Sequence, residues 1–140
     1  MQIHASCAAL DGAGVLLLGR SGCGKSDLLL RLLDRGFELV ADDRVEIDAG
    51  LARAPHALAG LLEVRGFGIV RLPYRATATL VLAVELDATE APRLPLPRRH
   101  PALGLPLVAV DPERASAAQR VRMALDCTLG RVALLAGAFA

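Results

Sequence analysis

The chain has very few aromatic residues. With no tryptophan, one tyrosine and three phenylalanines, its core must be built from Leu, Val and Ala. An excess of charge of one sign is also lacking. The net charge of +1 supplies no bulk attraction, so neither a nucleic-acid nor a membrane partner is expected. Cysteine is scarce and odd in number. Cys7, Cys23 and Cys127 show no metal-ligand spacing, which argues against a disulfide framework and for a reducing compartment. No apolar run approaches a membrane span, because Asp27 and Arg31 interrupt the Leu-rich stretch, and no segment reads as a signal peptide. A cytoplasmic protein is therefore expected. Internal repeats and a low-complexity tail are absent, as is the Asn-Lys-x-Asp motif that would recognise guanine.

What remains is a chain of 140 residues, 54% apolar, that reads as one domain over residues 1–140. Its organising stretch is Gly19-Arg20-Ser21-Gly22-Cys23-Gly24-Lys25-Ser26, which fits the phosphate-binding pattern G-x-x-x-x-G-K-[ST]. A buried strand over residues 15–18 precedes it and a helical pattern follows at once, as the motif requires. Glycines let the backbone turn so that successive N–H groups form a nest for phosphate oxygens. The helix opening at Lys25 adds its unpaired N–H groups and its positive dipole end. Lys25 is the candidate for the β- and γ-phosphates of a nucleotide, and Ser26 for Mg²⁺. Cys23 occupies a variable position of the loop. It is read as a small tolerated side chain, with redox control of nucleotide binding as the alternative.

Along the chain, residues 2–9 read as a strand with His4 as its polar intruder, and Asp11-Gly12 as a hairpin turn. A helix over residues 25–35 carries Leu28, Leu29, Leu32 and Leu33 as its apolar stripe and ends at Gly36. The strand over residues 37–41 delivers Asp42-Asp43, where phosphoryl-transfer enzymes keep a base or a metal ligand. Consecutive strand residues face opposite ways, so only one of the two is expected to face the phosphates unless the strand breaks. His56 is assigned to an exposed loop without a role. Residues 61–70 alternate charged and apolar residues before Gly66 and Gly68, compatible with a surface strand or a mobile functional backbone. Residues 77–86 read as a central strand and residues 107–110 as a last one. The proline-rich residues 91–106 are expected to hold no regular element. A final helix, capped at Asp111 or Ser116, is expected to carry Val121, Leu125, Leu129, Val132 and Leu135 on one stripe.

Three motifs in this order resemble the catalytic domain of HPr serine kinase/phosphorylase. They are His4 ahead of the phosphate loop, Leu39-Val40-Ala41-Asp42-Asp43 before Val45-Glu46-Ile47, and Leu62-Glu63-Val64-Arg65-Gly66-Phe67-Gly68-Ile69. The resemblance implies an α/β P-loop domain similar to phosphoenolpyruvate carboxykinase, with a mixed sheet and a C-terminal helix. It implies ATP-dependent phosphorylation of a serine on the phosphocarrier protein HPr. Asp43 would take the serine proton, His4 would position the acidic group, and Ser26 and Glu63 would hold Mg²⁺. Lys25, Asp42, Arg65 and Arg93 complete the implied catalytic set, with Arg93-Leu94 standing for the family's Arg-Leu. The family also runs phosphorolysis and assembles as hexamers.

The chain departs from the family in starting almost at His4, like its short form. Leu105-Pro106-Leu107-Val108-Ala109-Val110-Asp111-Pro112 replaces the family loop tied to dephosphorylation, so phosphorolysis and the hexamer are left open. The alternatives are a small-molecule kinase on the same loop and a nucleotide-binding regulatory module with little catalysis.

Overall fold

The computed structural model describes residues 1–89 and 91–139. In chain order the strands are β1 (Gln2–Ile3), β2 (Ala5–Leu10), β3 (Ala13–Leu18), β4 (Glu38–Ala41), β5 (Val45–Asp48) and β6 (Leu51–Arg53). They continue as β7 (Leu61–Val64), β8 (Gly68–Arg71), β9 (Ala78–Leu86), β10 (Arg98–Arg99) and β11 (Pro106–Val110). The helices are α1 (Lys25–Asp34) and α2 (Ala117–Thr128), with a short 3-10 turn over His56–Leu58.

Among the described residues, nine strands form one mixed sheet in the order β1-β5-β6-β9-β3-β2-β4, with β11 on the other half of the β9 edge and β10 on β11. The pairs β3–β9 and β9–β11 are parallel; the rest are antiparallel. Strand β9 is the centre, as its Val-rich run predicts, because both its edges are paired. The β2–β3 hairpin turns on Asp11 and Gly12, both at positive φ (51° and 82°), which is the geometry a two-residue connection favours.

Both faces of this sheet are covered. On one, Leu28, Leu29 and Leu32 of α1 and Val121 and Leu125 of α2 pack with Val15, Leu17, Leu82 and Val84. On the other, Ala5, Cys7, Leu16, Val40, Val45 and Leu80 pack with the partly buried Leu103 and Leu105. Strands β7 and β8 form a separate two-stranded sheet that meets α1 through the buried Leu62. No helix among the described residues is long and apolar enough to cross a membrane.

Three expectations are corrected. Residues 91–106 do contain a strand. Arg98 and Arg99 pair with Leu107 and Pro106, and the prolines of the segment lie outside the pairing Arg residues or at the strand's first position. The last helix stops at Thr128, because Gly130 at φ 77° takes the left-handed position that ends it. Val132 and Leu135 therefore lie beyond it, and Leu135 is 93% exposed. Finally, Ser116 stands at the N-cap of α2 without capping it; its hydroxyl accepts from Arg120 Nε at 2.9 Å instead.

Candidate active site

The loop between β3 and α1 is shaped by glycine. Gly22 and Gly24 adopt φ values of 82° and 104°, and Gly24 is the left-handed residue from which α1 starts. At Gly19 a Cβ would collide with Cys23 Sγ, so the strand-to-loop exit has no room for a side chain. Lys25 is the only lysine of the chain. It is buried, and its ammonium donates to the carbonyls of Gly19 (2.5 Å) and Arg20 (3.0 Å), so it closes the loop on itself.

Asp42 and Asp43 leave β4 in different directions from those a continuing strand would impose. Arg44 N–H donates to the Asp42 carbonyl at 2.8 Å, which closes a three-residue turn around Asp43 at φ 69°. A γ-turn of positive φ is the rare, strained form. The strand breaks there, and both carboxylates line the same cavity of about 650 Å³. Asp42 is buried and accepts from the Ser26 hydroxyl at 2.8 Å (Oδ1) and 3.0 Å (Oδ2). Asp43 is exposed and lies 3.0 Å from His4 Nε2.

The cavity is walled by Ser21, Gly22, Gly24, Lys25 and Ser26 on the loop side. The β7–β8 hairpin supplies Glu63 and Arg65 opposite, and Leu58, Leu61 and Ile69 give that wall an apolar part. Ser26, Asp42, Asp43 and Glu63 are hard oxygen donors of the kind that suits a small divalent cation. Among the described residues no three His, Cys, Asp or Glu side chains cluster closely enough to hold a metal by themselves. A cation here would therefore share its shell with phosphate oxygens, as Mg²⁺ does in nucleotide sites.

Most residues singled out from the sequence thus meet in one place. His4 joins through Asp43, while Gly19, Arg20 and Cys23 belong to the loop without lining the cavity. Arg93 is not brought there. It stands exposed ahead of β10, and β11, β9, β3 and β2 separate that edge from β4. Sequence reasoning missed Ser6. Its hydroxyl is fully buried and donates to Asp42 Oδ1 at 2.8 Å. The signal available was a lone hydroxyl in an otherwise apolar strand, two residues after His4.

A sequence model of the family described as "HPr Serine kinase C-terminal domain" matches residues 1–83. The chain belongs to this family. Similar curated relatives include the HPr kinase/phosphorylase of Clostridium acetobutylicum, 42% identical over 76 residues that cover 51% of this chain and 25% of the relative. That of Bacillus subtilis is 45% identical over 75 residues, covering 50% of this chain and 24% of the relative. The matches thus span about a quarter of the length of these relatives. Among solved structures, the Hpr(Ser) kinase/phosphatase from Coxiella burnetii superposes with a TM-score of 0.74 at 26% identity, covering 94% of each chain. The fold is therefore that of the family over nearly the whole of this chain, including the part beyond residue 83.

Proposed function

We propose that this protein is an ATP-dependent serine kinase that phosphorylates an HPr-type phosphocarrier protein. The observation that carries the reading is the convergence of the loop lysine, the Ser26 hydroxyl and three carboxylates on one cavity. In the proposed reaction the acceptor serine oxygen forms a bond to the γ-phosphorus and the bond from that phosphorus to the ADP oxygen breaks. The serine proton passes to Asp43, late in the transfer. His4, 3.0 Å away, holds the Asp43 carboxylate toward the acceptor. Lys25 exchanges the Gly19 and Arg20 carbonyls for β- and γ-phosphate oxygens, and the loop N–H groups take the rest. Ser26, Asp42 and Glu63 are the residues that would hold Mg²⁺, which supplies charge neutralisation between the phosphates. Arg65 faces the same space and adds positive charge.

The reading extends to a cytoplasmic homo-oligomer, with the hexamer as the assembly the family resemblance implies. Arg93 has no role in this scheme unless a conformational change or a second subunit brings it near. The test is transfer of label from the γ-phosphate of ATP to purified HPr in the presence of Mg²⁺. Asp43→Asn is expected to lower transfer by about 10²–10⁴-fold, the range for loss of a general base. Full transfer by Asp43→Asn together with its loss in Asp42→Asn would reverse the two roles. Nucleotide binding without transfer to HPr would favour the regulatory module, and chasing labelled HPr with phosphate tests phosphorolysis.

A further inference from the structure

Asp43 is held at three points by three consecutive residues. His4 Nε2 lies 3.0 Å from its carboxylate, Ala5 N–H donates to its carbonyl at 3.1 Å, and its own N–H donates to Ser6 Oγ at 3.3 Å. Ser6 has a second partner. The same hydroxyl donates its proton to Asp42 Oδ1 at 2.8 Å. It is therefore a bridge, accepting from the backbone of one aspartate and donating to the side chain of the other.

The bridge sits where strand geometry fails. The β2–β4 register shifts between Cys7 and Ala8, so an extra residue is taken up on β4 just before the acidic pair. Asp43 then adopts φ 69°, a region that disfavours residues with a Cβ. Such strain persists only where the surroundings over-determine it. Ser6 is 0% exposed in a strand whose other members are Ala, Cys and Leu, so packing alone would be served by any small side chain. The hydroxyl is needed for the two hydrogen bonds.

Ser26 also donates to Asp42 Oδ1, so two hydroxyls converge on one oxygen. Ser26 is the one that would turn to the cation on loading. Ser6 can then keep the Asp42 carboxylate in place. We infer that Ser6 is a positioning residue: its hydroxyl fixes the break after β4 that turns both Asp42 and Asp43 into one cavity, and it retains Asp42 when Ser26 is engaged elsewhere. The inference rests on the kinase reading for its effect on transfer, but not for its effect on the turn.

The experiment compares the full chain with Ser6→Ala and Ser6→Thr, the latter keeping the hydroxyl. Amide hydrogen exchange at Asp43 reads the turn directly. Transfer to HPr is followed as a function of Mg²⁺ and of ATP. Ser6→Ala is expected to speed exchange at Asp43 by about tenfold, the scale for losing one hydrogen-bond partner. It should also raise the half-saturating Mg²⁺ and lower kcat, with the KM for ATP at saturating Mg²⁺ little changed. Ser6→Thr should restore all three. Wild-type exchange at Asp43 in folded Ser6→Ala, or a wild-type Mg²⁺ requirement, would overturn the inference. If the wild type transfers nothing to HPr, the kinase reading fails, and exchange at Asp43 with Mg²⁺-dependent ATP binding still decides the role of Ser6. Should Ser6→Ala not fold, Ser6→Cys, of similar size but a weaker donor, is judged by the same readouts.

Discussion

Replacing Leu62 by Ala should detach one wall of the cavity while leaving the main sheet intact. Strands β7 and β8 hydrogen-bond to each other and to no strand of the large sheet among the described residues. A two-stranded hairpin alone is marginal in water, so side-chain packing has to hold it. Leu62 is its fully buried anchor, joined to the core that contains Leu29 and Leu32, whereas Val64 and Val70 are only partly buried. Truncating a buried Leu to Ala costs about 2–5 kcal/mol. At about 1.4 kcal/mol per factor of ten, the open population of the hairpin should rise about 30- to 4,000-fold. The assay is amide exchange resolved by segment. Residues 61–71 should exchange faster by a factor in that range, with β3 and β9 much less affected. Nucleotide affinity should fall with it, because Glu63, Arg65 and Ile69 line the cavity from this hairpin. Equal acceleration across residues 61–71, β3 and β9 would show that the hairpin opens only with the whole domain and would refute the argument. Unchanged exchange in residues 61–71 would show that Leu62 is not its anchor.

The His4–Asp43 pair is about half exposed on both sides, so His4→Ala should change stability by no more than about 1 kcal/mol in thermal unfolding. Its transfer activity should nonetheless fall clearly, and equal loss of both would make His4 a structural residue. Because Lys25 is the only lysine, amine-reactive labelling outside the N-terminus reports the phosphate loop alone, and Mg·ATP should protect it; labelling unaffected by nucleotide would place the phosphates elsewhere. Burial pushes the Cys7 thiol from 9.0 up to about 12, so native Cys7 should resist alkylation while Cys23 and Cys127 react. Over that interval the unfolded chain loses the Cys7 proton and the folded chain keeps it, so this contribution to stability is full below pH 9 and lost as pH rises toward about 12. A denaturation midpoint for Cys7→Ala that falls as steeply as wild type over that range would exclude it as the cause.

The elements that the sequence made legible are those set by local chemistry. Asp11-Gly12 declares its turn because few residues tolerate positive φ, and the phosphate loop declares itself through glycines at fixed offsets. The apolar run of β9 identifies a centre because both faces of the strand are buried. What stayed hidden depends on distant partners. Arg98 and Arg99 form a strand because Leu107 and Pro106 lie beside them, which composition does not announce. Val132 and Leu135 continue the helical spacing in number, yet Gly130 ends the helix between them and Leu125. The meeting of Asp42 and Asp43 was the least legible. Residue type flags a turn at Gly or Asn more readily than at Asp, and the hydroxyl that bridges them lies 36 positions earlier, on β2.

Arg31 gives the two halves of the chain a common fate. Its guanidinium donates to the Pro112 carbonyl at 2.6 Å and reaches that of Arg114 at 3.5 Å. It thereby moors the helix that begins at Lys25 to the segment ahead of α2. A Cβ at Gly24 would already touch Pro112 at 3.4 Å. The family match ends at residue 83, yet this contact carries the geometry of the far segment into the base of the phosphate loop. Recombination between relatives is thus constrained at a seam that sequence similarity does not mark. A chimera that exchanges everything after β9 should keep the geometry of the phosphate-loop cavity only if the incoming segment presents two backbone carbonyls where Pro112 and Arg114 present theirs.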